Sequence, residues 1–204
     1  RLIDELIATQ NKIIEDLKEL KSAISKSIFS LMEDGKSMLL GDVAHISNGC
    51  GDVQDADPIK REGWYPFFDR SEEQKWFPTY SIDKEAIIYA GEGQSFYPRY
   101  YKGKFALHQR CYAITDFSEI LSPKYCYYFM GTLNSYFIRN AVGSTVPSLR
   151  IDMFQKVKLR IPSIKRQKDI VSMFDMLNMK CENETSIMAL FKEQKFHLLQ
   201  QMFI

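Results

Sequence analysis

The sequence predicts an α+β fold: one globular domain of short strands and helices, flanked by two long helices forming a coiled coil. Three observations carry this. The stretches Leu2–Leu31 and Lys165–Ile204 contain neither proline nor glycine. Between them lie short aromatic and β-branched runs broken by Gly, Pro and charged turns, the pattern of short strands. The two ends also repeat each other. A shift of 174 positions carries Ile13, Lys18, Glu19, Lys21 and Phe29 onto Ile187, Lys192, Glu193, Lys195 and Phe203. Leu17, Ile24 and Ile28 then fall on Phe191, Leu198 and Met202, so the apolar register is kept. A repeat of this kind marks one unit (insert plus long helix) preceded by the tail of an earlier unit.

Residues 1–33 form the first helix of this organisation. Ile3, Leu6, Ile13, Leu17, Leu20, Ile24 and Leu31 follow a 3-4 spacing, with Gln10 and Ser27 as polar seam positions. This is the seam of a coiled coil. Thirty helical residues span roughly 45 Å. Gly35 is the expected stop.

Residues 34–162 are expected to form the globular domain. Leu39, Leu40, Val43 and Ile46, before the Asn48-Gly49 turn, enter it, and acidic residues 50–63 read as an exposed loop. Strands are expected at Trp64–Phe68, Ala86–Tyr89, Ser95–Tyr101 and Phe105–Ile114. Ser122-Pro123 opens a helix running to about Asn140, as an N-cap followed by proline should. Ala141–Leu149 is a loop, Arg150–Gln155 one helical turn, and Val157–Ile161 a closing strand. Residues 163–204 make the second long helix, with its stripe on Ile170, Phe174, Leu177, Cys181, Met188, Phe191, Leu198 and Met202. The two helices are expected to lie against each other, antiparallel if the domain's ends are close, or to pair with those of a second chain.

The bulk composition excludes little by itself: 45% of residues are apolar and 26% charged, with a net charge of +1. Residues 34–85 are acidic and residues 86–160 basic, which suits one face meeting phosphate as well as it suits surface scatter. No apolar run reaches bilayer length and no signal-peptide pattern opens the chain, so a cytoplasmic location is expected. Opening on Arg1, the chain is expected to be a fragment of a longer product. Cys50, Cys111, Cys126 and Cys181 show no CxxC pair and are expected to be free thiols.

Several stretches together carry a family resemblance. They are Leu40-Gly41-Asp42-Val43-Ala44 leading to Gly49; Gly91-Glu92-Gly93 followed by aromatic and basic residues; Val142-Gly143-Ser144-Thr145-Val146-Pro147 with Leu149; Leu159-Arg160-Ile161-Pro162 with Gln167, Ile170, Phe174 and Leu177; and Leu198–Phe203. In this order and spacing the chain resembles a half of the DNA-specificity subunit of type I restriction–modification systems, over essentially its whole length. The resemblance implies a non-catalytic subunit with a two-fold repeat of target-recognition domain plus helix. Each such domain reads one half of a split double-stranded DNA target. The helices space the two readers and dock methyltransferase subunits, through which the restriction subunit joins. Where that family carries Pro-Pro-Leu before its last helix, this chain has Ile161-Pro162-Ser163-Ile164, and only one recognition domain is present. A crystallised half and a natural half-subunit that forms a homodimer both fit.

Candidate DNA-binding residues cluster in the basic half. Gln94, Ser95, Tyr97, Arg99, Tyr100 and Lys102 combine amide, guanidinium, ammonium and stacking groups. Gln holds adenine and Arg holds guanine bidentately. Lys102, Lys104 and Arg110 suit phosphate neutralisation, and Ser144 and Thr145 suit phosphate positioning. Arg70, Lys75 and Trp76 are expected on a turn, and Arg150 completes the set. The competing reading makes the tyrosines strand-face packing residues and Gly143–Pro147 a return turn.

Catalysis finds little support. Methyltransferase chemistry needs an Asn/Asp-Pro-Pro-aromatic run, which is missing, and Gly91-Glu92-Gly93 alone is a weak phosphate cradle. His108 and Cys111, read as lying on one strand, would face opposite ways. His45, His108 and His197 lack metal-ligand spacing, and no cofactor is expected. Asp83-Lys84-Glu85 reads as a solvated turn. The alternative function is a non-catalytic protein–protein scaffold with a coiled-coil dimerisation arm; an endonuclease working alone is a third.

Overall fold

The computed structural model describes residues 2–202; Phe203, the repeat mate of Phe29, lies outside them, as does the Met202 side chain. The chain divides into two compact units, one of Arg1–Leu31 with Asp169–Ile204 and one of Met32–Lys168.

The helical unit is built from α1 (Leu2–Leu31) and most of α6 (Ile164–Met202). Its contacts fix an antiparallel pair: Asp4 meets Lys195 at 2.6 Å, Gln10 meets Glu184, Lys21 donates to Asn178 at 2.6 Å, and Phe29 stacks on Phe174 with centroids 6.0 Å apart. The repeat is visible in this pairing. Gln10 and Glu184 are 174 residues apart and touch each other. The same shift carries Asp4 onto Asn178 and Lys21 onto Lys195, so the two lysine contacts are images of one another. A local two-fold axis therefore passes beside the Gln10–Glu184 contact. Gln10 is buried there, its amide donating to the Glu184 carbonyl at 3.0 Å and to the Glu184 carboxylate, which Lys180 also engages.

The seam itself is rotated from the sequence expectation. Ile3, Ile7, Gln10, Ile14, Leu17, Lys21, Ile24 and Ile28 make an unbroken 4-3 alternation of less exposed positions on α1, widened at its end by Ser25 and Phe29. Ile3, Gln10, Leu17 and Ile24 belong to the expected seam. Leu6, Ile13, Leu20 and Leu31 do not: they are 42%, 38%, 49% and 73% exposed, whereas Ile14 is 5% exposed. Two apolar residues stand side by side at Leu6-Ile7 and Ile13-Ile14, and spacing alone cannot say which one faces the partner. On α6 the expected stripe holds from Ile170 to Phe191, while Leu198 is 47% exposed.

The second unit contains a two-stranded and a six-stranded sheet. β1 (Lys36–Leu39) pairs antiparallel with β8 (Lys158–Ile161), bringing the entrance and exit of the unit together. Gly35, with φ +91°, makes this approach possible, because a Cβ there would sit 2.4 Å from the Ile161 carbonyl oxygen. It stands four residues past the end of α1, so it serves this approach rather than a helix cap. Between β1 and β8 run α2 (Leu40–Val43), β2 (His45–Asn48), β3 (Tyr65–Phe68), β4 (Lys75–Phe77), β5 (Ile82–Ala90), β6 (Arg99–Leu107), β7 (Cys111–Thr115), α3 (Pro123–Met130), α4 (Asn134–Asn140) and α5 (Ile151–Gln155).

The larger sheet has the order β2-β7-β5-β6-β3-β4, antiparallel except for β3 beside β6. Past β2 the chain curls back: the amides of Cys50 and Gly51 both donate to the Leu107 carbonyl at the end of β6. One core face holds Phe68, Ala86, Ile88, Phe105, Leu107 and Ala113. The other holds an aromatic group in which the rings of Tyr89, Tyr112, Phe137 and Phe154 lie 4.9–5.2 Å apart. Buried phenols need partners. Tyr89 finds the Met130 carbonyl at 3.0 Å and Tyr112 the Leu149 carbonyl at 2.8 Å.

Several local expectations need correction. Asp83-Lys84-Glu85 lies on β5 rather than on a turn, and the strand expected at Ser95–Tyr101 begins only at Arg99, as β6. The run 105–114 is two strands joined by a turn at His108–Arg110. The helix expected from Ser122 to Asn140 breaks into α3 and α4 at Gly131. Lys75 and Trp76 lie on strand β4 rather than on a turn. Gln167 is fully buried and ties the start of α6 to the cap of α3. It accepts from the Ser122 amide at 2.8 Å and donates to the carbonyls of Ile120 and Pro162, both at 2.8 Å. Among the described residues, no helix is long and apolar enough to cross a membrane.

Candidate nucleic-acid interface

The loops at one end of the larger sheet enclose a cleft of about 720 Å³. Its walls come from the segment after β2 (Asp52), the β3–β4 loop (Asp69–Ser71, with Lys75), the start of the β5–β6 loop (Gly91, Glu92) and the β6–β7 turn (His108–Arg110). Of the sequence candidates, the cleft brings together Arg70, Lys75 and Arg110.

The β3–β4 loop is held from within. Asp69 is buried, accepting from the Ser71 amide at 2.7 Å and from the Lys75 ammonium at 2.6 Å. Arg99 reaches over from β6, donating to the Ser71 carbonyl at 3.0 Å and to the Asp69 carbonyl, with its guanidinium 5.2 Å above the Phe68 ring. Burial lowers the Arg99 pKa from its usual high value. Arg99 and Lys75 are thus committed to shaping the loop, while Arg70 at its tip is exposed and makes no side-chain hydrogen bond or ion pair among the described residues.

The β6–β7 turn is pinned in the same way. The Gln109 amide donates to Gly51 at 3.0 Å, its carbonyl accepts from Asn48 at 3.3 Å, and Arg110 pairs with Glu92 at 2.8 Å. Gly91 lets the β5–β6 loop approach this closely, since a Cβ there would lie 2.0 Å from the Arg110 carbonyl oxygen. Gln109 itself is exposed at the cleft, with its amide head uncommitted among the described residues. Sequence reasoning missed Gln109 because reading 105–114 as one strand hides the turn; its Gln-Arg pair was the available signal.

The remaining candidates fall into two groups. Gln94, Ser95 and Tyr97 lie on the β5–β6 loop, anchored by buried Phe96, whose amide donates to Asn134 at 2.7 Å. The 141–149 loop, with exposed Ser144 and Thr145, lies beside it: the Gly93 amide donates to Pro147 at 3.1 Å and the Leu149 amide to Gly91 at 2.7 Å. These two loops are joined to each other beside Gly91 and Glu92, outside the residues that line the cleft. Lys102 and Lys104 instead stand far along the β5–β6 ribbon, Lys102 3.7 Å from Glu85 and Lys104 4.7 Å above the Tyr80 ring. Tyr100 donates to Glu85 and packs near Tyr127. Trp76 pairs its backbone with Asp57 under Lys60, and Arg150 is exposed ahead of α5.

The cleft is poorly furnished for covalent chemistry. Cys111, at its floor, is buried, and desolvation pushes its thiol up to about 11 despite the nearby Arg99. A neutral thiol is a weak nucleophile. No group of three or more His, Cys, Asp or Glu residues suited to a metal ion occurs among the described residues. The cleft offers hydrogen-bonding groups and charges of both signs, with Asp52, Asp69 and Glu92 beside Arg70, Lys75 and Arg110.

Residues 32–190 match the family described as the type I restriction modification DNA specificity domain. The chain belongs to this family. It is 29% identical over 150 residues to the type I restriction enzyme EcoDI specificity subunit of Escherichia coli, covering 74% of this chain and 32% of that one. Its fold is similar to a type I restriction–modification S subunit from M. genitalium, with TM-score 0.73 and 14% identity over 97% of this chain and 57% of that one. It is also similar to the HsdS subunit from Thermoanaerobacter tengcongensis, with TM-score 0.66 and 12% identity over 98% and 54%. The chain thus spans about a third of the curated relative and about half of the solved subunits.

Proposed function

We propose that this chain is a non-catalytic reader of one half of a split DNA target in a type I restriction–modification complex. Residues 34–162 serve as the target-recognition domain, and the flanking helices set the spacing and dock methyltransferase subunits. The observation that carries this reading is the specificity-domain match over residues 32–190. The cleft, with exposed Arg70 and Gln109 on the loops that line it, supports it.

A second observation supports docking on the helices. Leu6, Ile13 and Leu20 recur every seven residues just beside the buried seam of α1, and Ile187, the repeat mate of Ile13, holds the matching place on α6. In an antiparallel pair these flanking positions meet on one side. With Leu2, Met176 and Leu190 they make an exposed apolar face on both helices, of the kind that marks a protein-binding surface. A homodimer would use this face, because the seam already has an internal occupant.

As spacers, thirty residues of α1 reach about 45 Å, slightly more than one DNA turn of about 34 Å. The test is duplex binding across a salt series. Specificity-subunit behaviour requires affinity that falls steeply with salt, together with loss of one methylation motif from cells lacking the gene. Salt-independent or absent DNA binding, with a polypeptide partner retained, would instead establish the scaffold reading.

A further inference from the structure

We propose that Arg70 and Gln109, which line the cleft from two different loops, are the base-reading pair of this domain, contacting a guanine and an adenine edge respectively. The proposal rests on the DNA-recognition reading and deepens it.

Of the polar heads lining the cleft, Lys75 is taken by Asp69, Arg110 by Glu92, and Asp69 by the Ser71 amide and Lys75. Asp52 accepts from the Gln54 amide, Ser71 from the Glu73 amide, and half-buried His108 from the Arg110 amide through Nδ1. Arg99, next to the cleft, is spent on two loop carbonyls. Arg70 and Gln109 are left exposed and uncommitted, on two different loops. The loops that carry them are fixed by several independent hydrogen bonds, so little backbone entropy is lost on binding. A rigid loop with one free, fork-shaped head is what direct readout in the major groove asks for. Arg matches guanine O6 and N7, and Gln matches adenine N6 and N7. Lys102 and Lys104, on a mobile ammonium stem and away from the cleft, fit phosphate contact, which carries no sequence information. The carboxylates of Asp69 and Glu92 hold Lys75 and Arg110 in place, so the charges lining the cleft largely cancel and the cations beside them are not free for phosphate.

The experiment is selection of the purified chain against a randomised duplex library, comparing wild type with Arg70→Ala, Gln109→Ala, Arg70→Gln and Lys102→Ala. Wild type should return a consensus. Arg70→Ala should blur one G·C position and Gln109→Ala one A·T position, each lowering affinity for the wild-type site by about ten- to a hundredfold. Arg70→Gln should shift the first position toward adenine. Lys102→Ala should lower binding to all sequences alike and leave the consensus whole. Both single substitutions lie on exposed heads, and an unchanged thermal melt confirms folding. An unaltered consensus in either alanine variant, or equal loss at every position, overturns the assignment. A wild-type chain that selects no consensus overturns the DNA-recognition reading itself, a different and separately recognisable result.

Discussion

Ile13 and Ile14 are chemically identical neighbours on α1, and the helix pair separates them: Ile14 is 5% exposed and Ile13 38%. Truncation to alanine removes three carbons from either. At about 0.8 kcal/mol per buried methylene, Ile14→Ala forfeits roughly 2.4 kcal/mol of transfer free energy. The void left between two packed helices adds to this, placing the total at about 2–5 kcal/mol. At Ile13 a good part of the side chain is already wet and water refills the space, so about 1 kcal/mol is expected. The difference is large enough for urea melts followed by helical circular dichroism, with both variants under one set of conditions. Equal losses, or a larger loss at Ile13, would refute the seam register and restore the one read from sequence spacing. The same pair tests assembly. Ile13→Asp should leave the helix pair folded and weaken capture of a methyltransferase subunit at least tenfold in a pull-down titration, whereas an unaffected titration removes the exposed face from the docking surface.

Arg99→Ala deletes two charge-assisted hydrogen bonds and strands the carbonyls of Asp69 and Ser71; a loss of about 2–4 kcal/mol is expected in thermal unfolding, with the β3–β4 loop gaining protease sensitivity. A thiol reagent at neutral pH should label exposed Cys50 first and half-buried Cys181 later. Cys111, with its thiol raised to about 11, and fully buried Cys126 should react only on denaturation, as counted by mass spectrometry of intact protein. Glu184 has its carboxyl pKa lowered, chiefly by Lys180 and then by Gln10. A lowered folded pKa stabilises above the unfolded value of 4.5 and ceases to do so as pH falls through the lower folded one. Acid melts of Glu184→Gln should therefore be flatter than wild type below pH 4.5, and superimposable curves would remove Glu184 from the acid response.

Much of this protein is written in local pattern. The absence of Gly and Pro, together with steady apolar spacing, determined both long helices. The 174-residue shift announced that they are related, because a helix records its buried face in every turn. Alternation and punctuation placed β3 and β8 nearly where they lie and found the second half of β5, and Ser122-Pro123 placed the start of α3. Tertiary structure alone decided what depends on partners distant in sequence. It chose Ile14 over Ile13 for the seam, since two adjacent isoleucines have equal propensity and only the facing helix breaks the tie. It folded the chain at His108–Arg110, where hydrogen bonds from Asn48 and to Gly51 hold a turn that composition does not signal. It also divided the basic and amide side chains by role. Arg70 and Arg99 are alike as residues, but one is tied into carbonyls across the sheet and the other is left in the open. Sequence supplies the charge; which charge remains available is a property of packing.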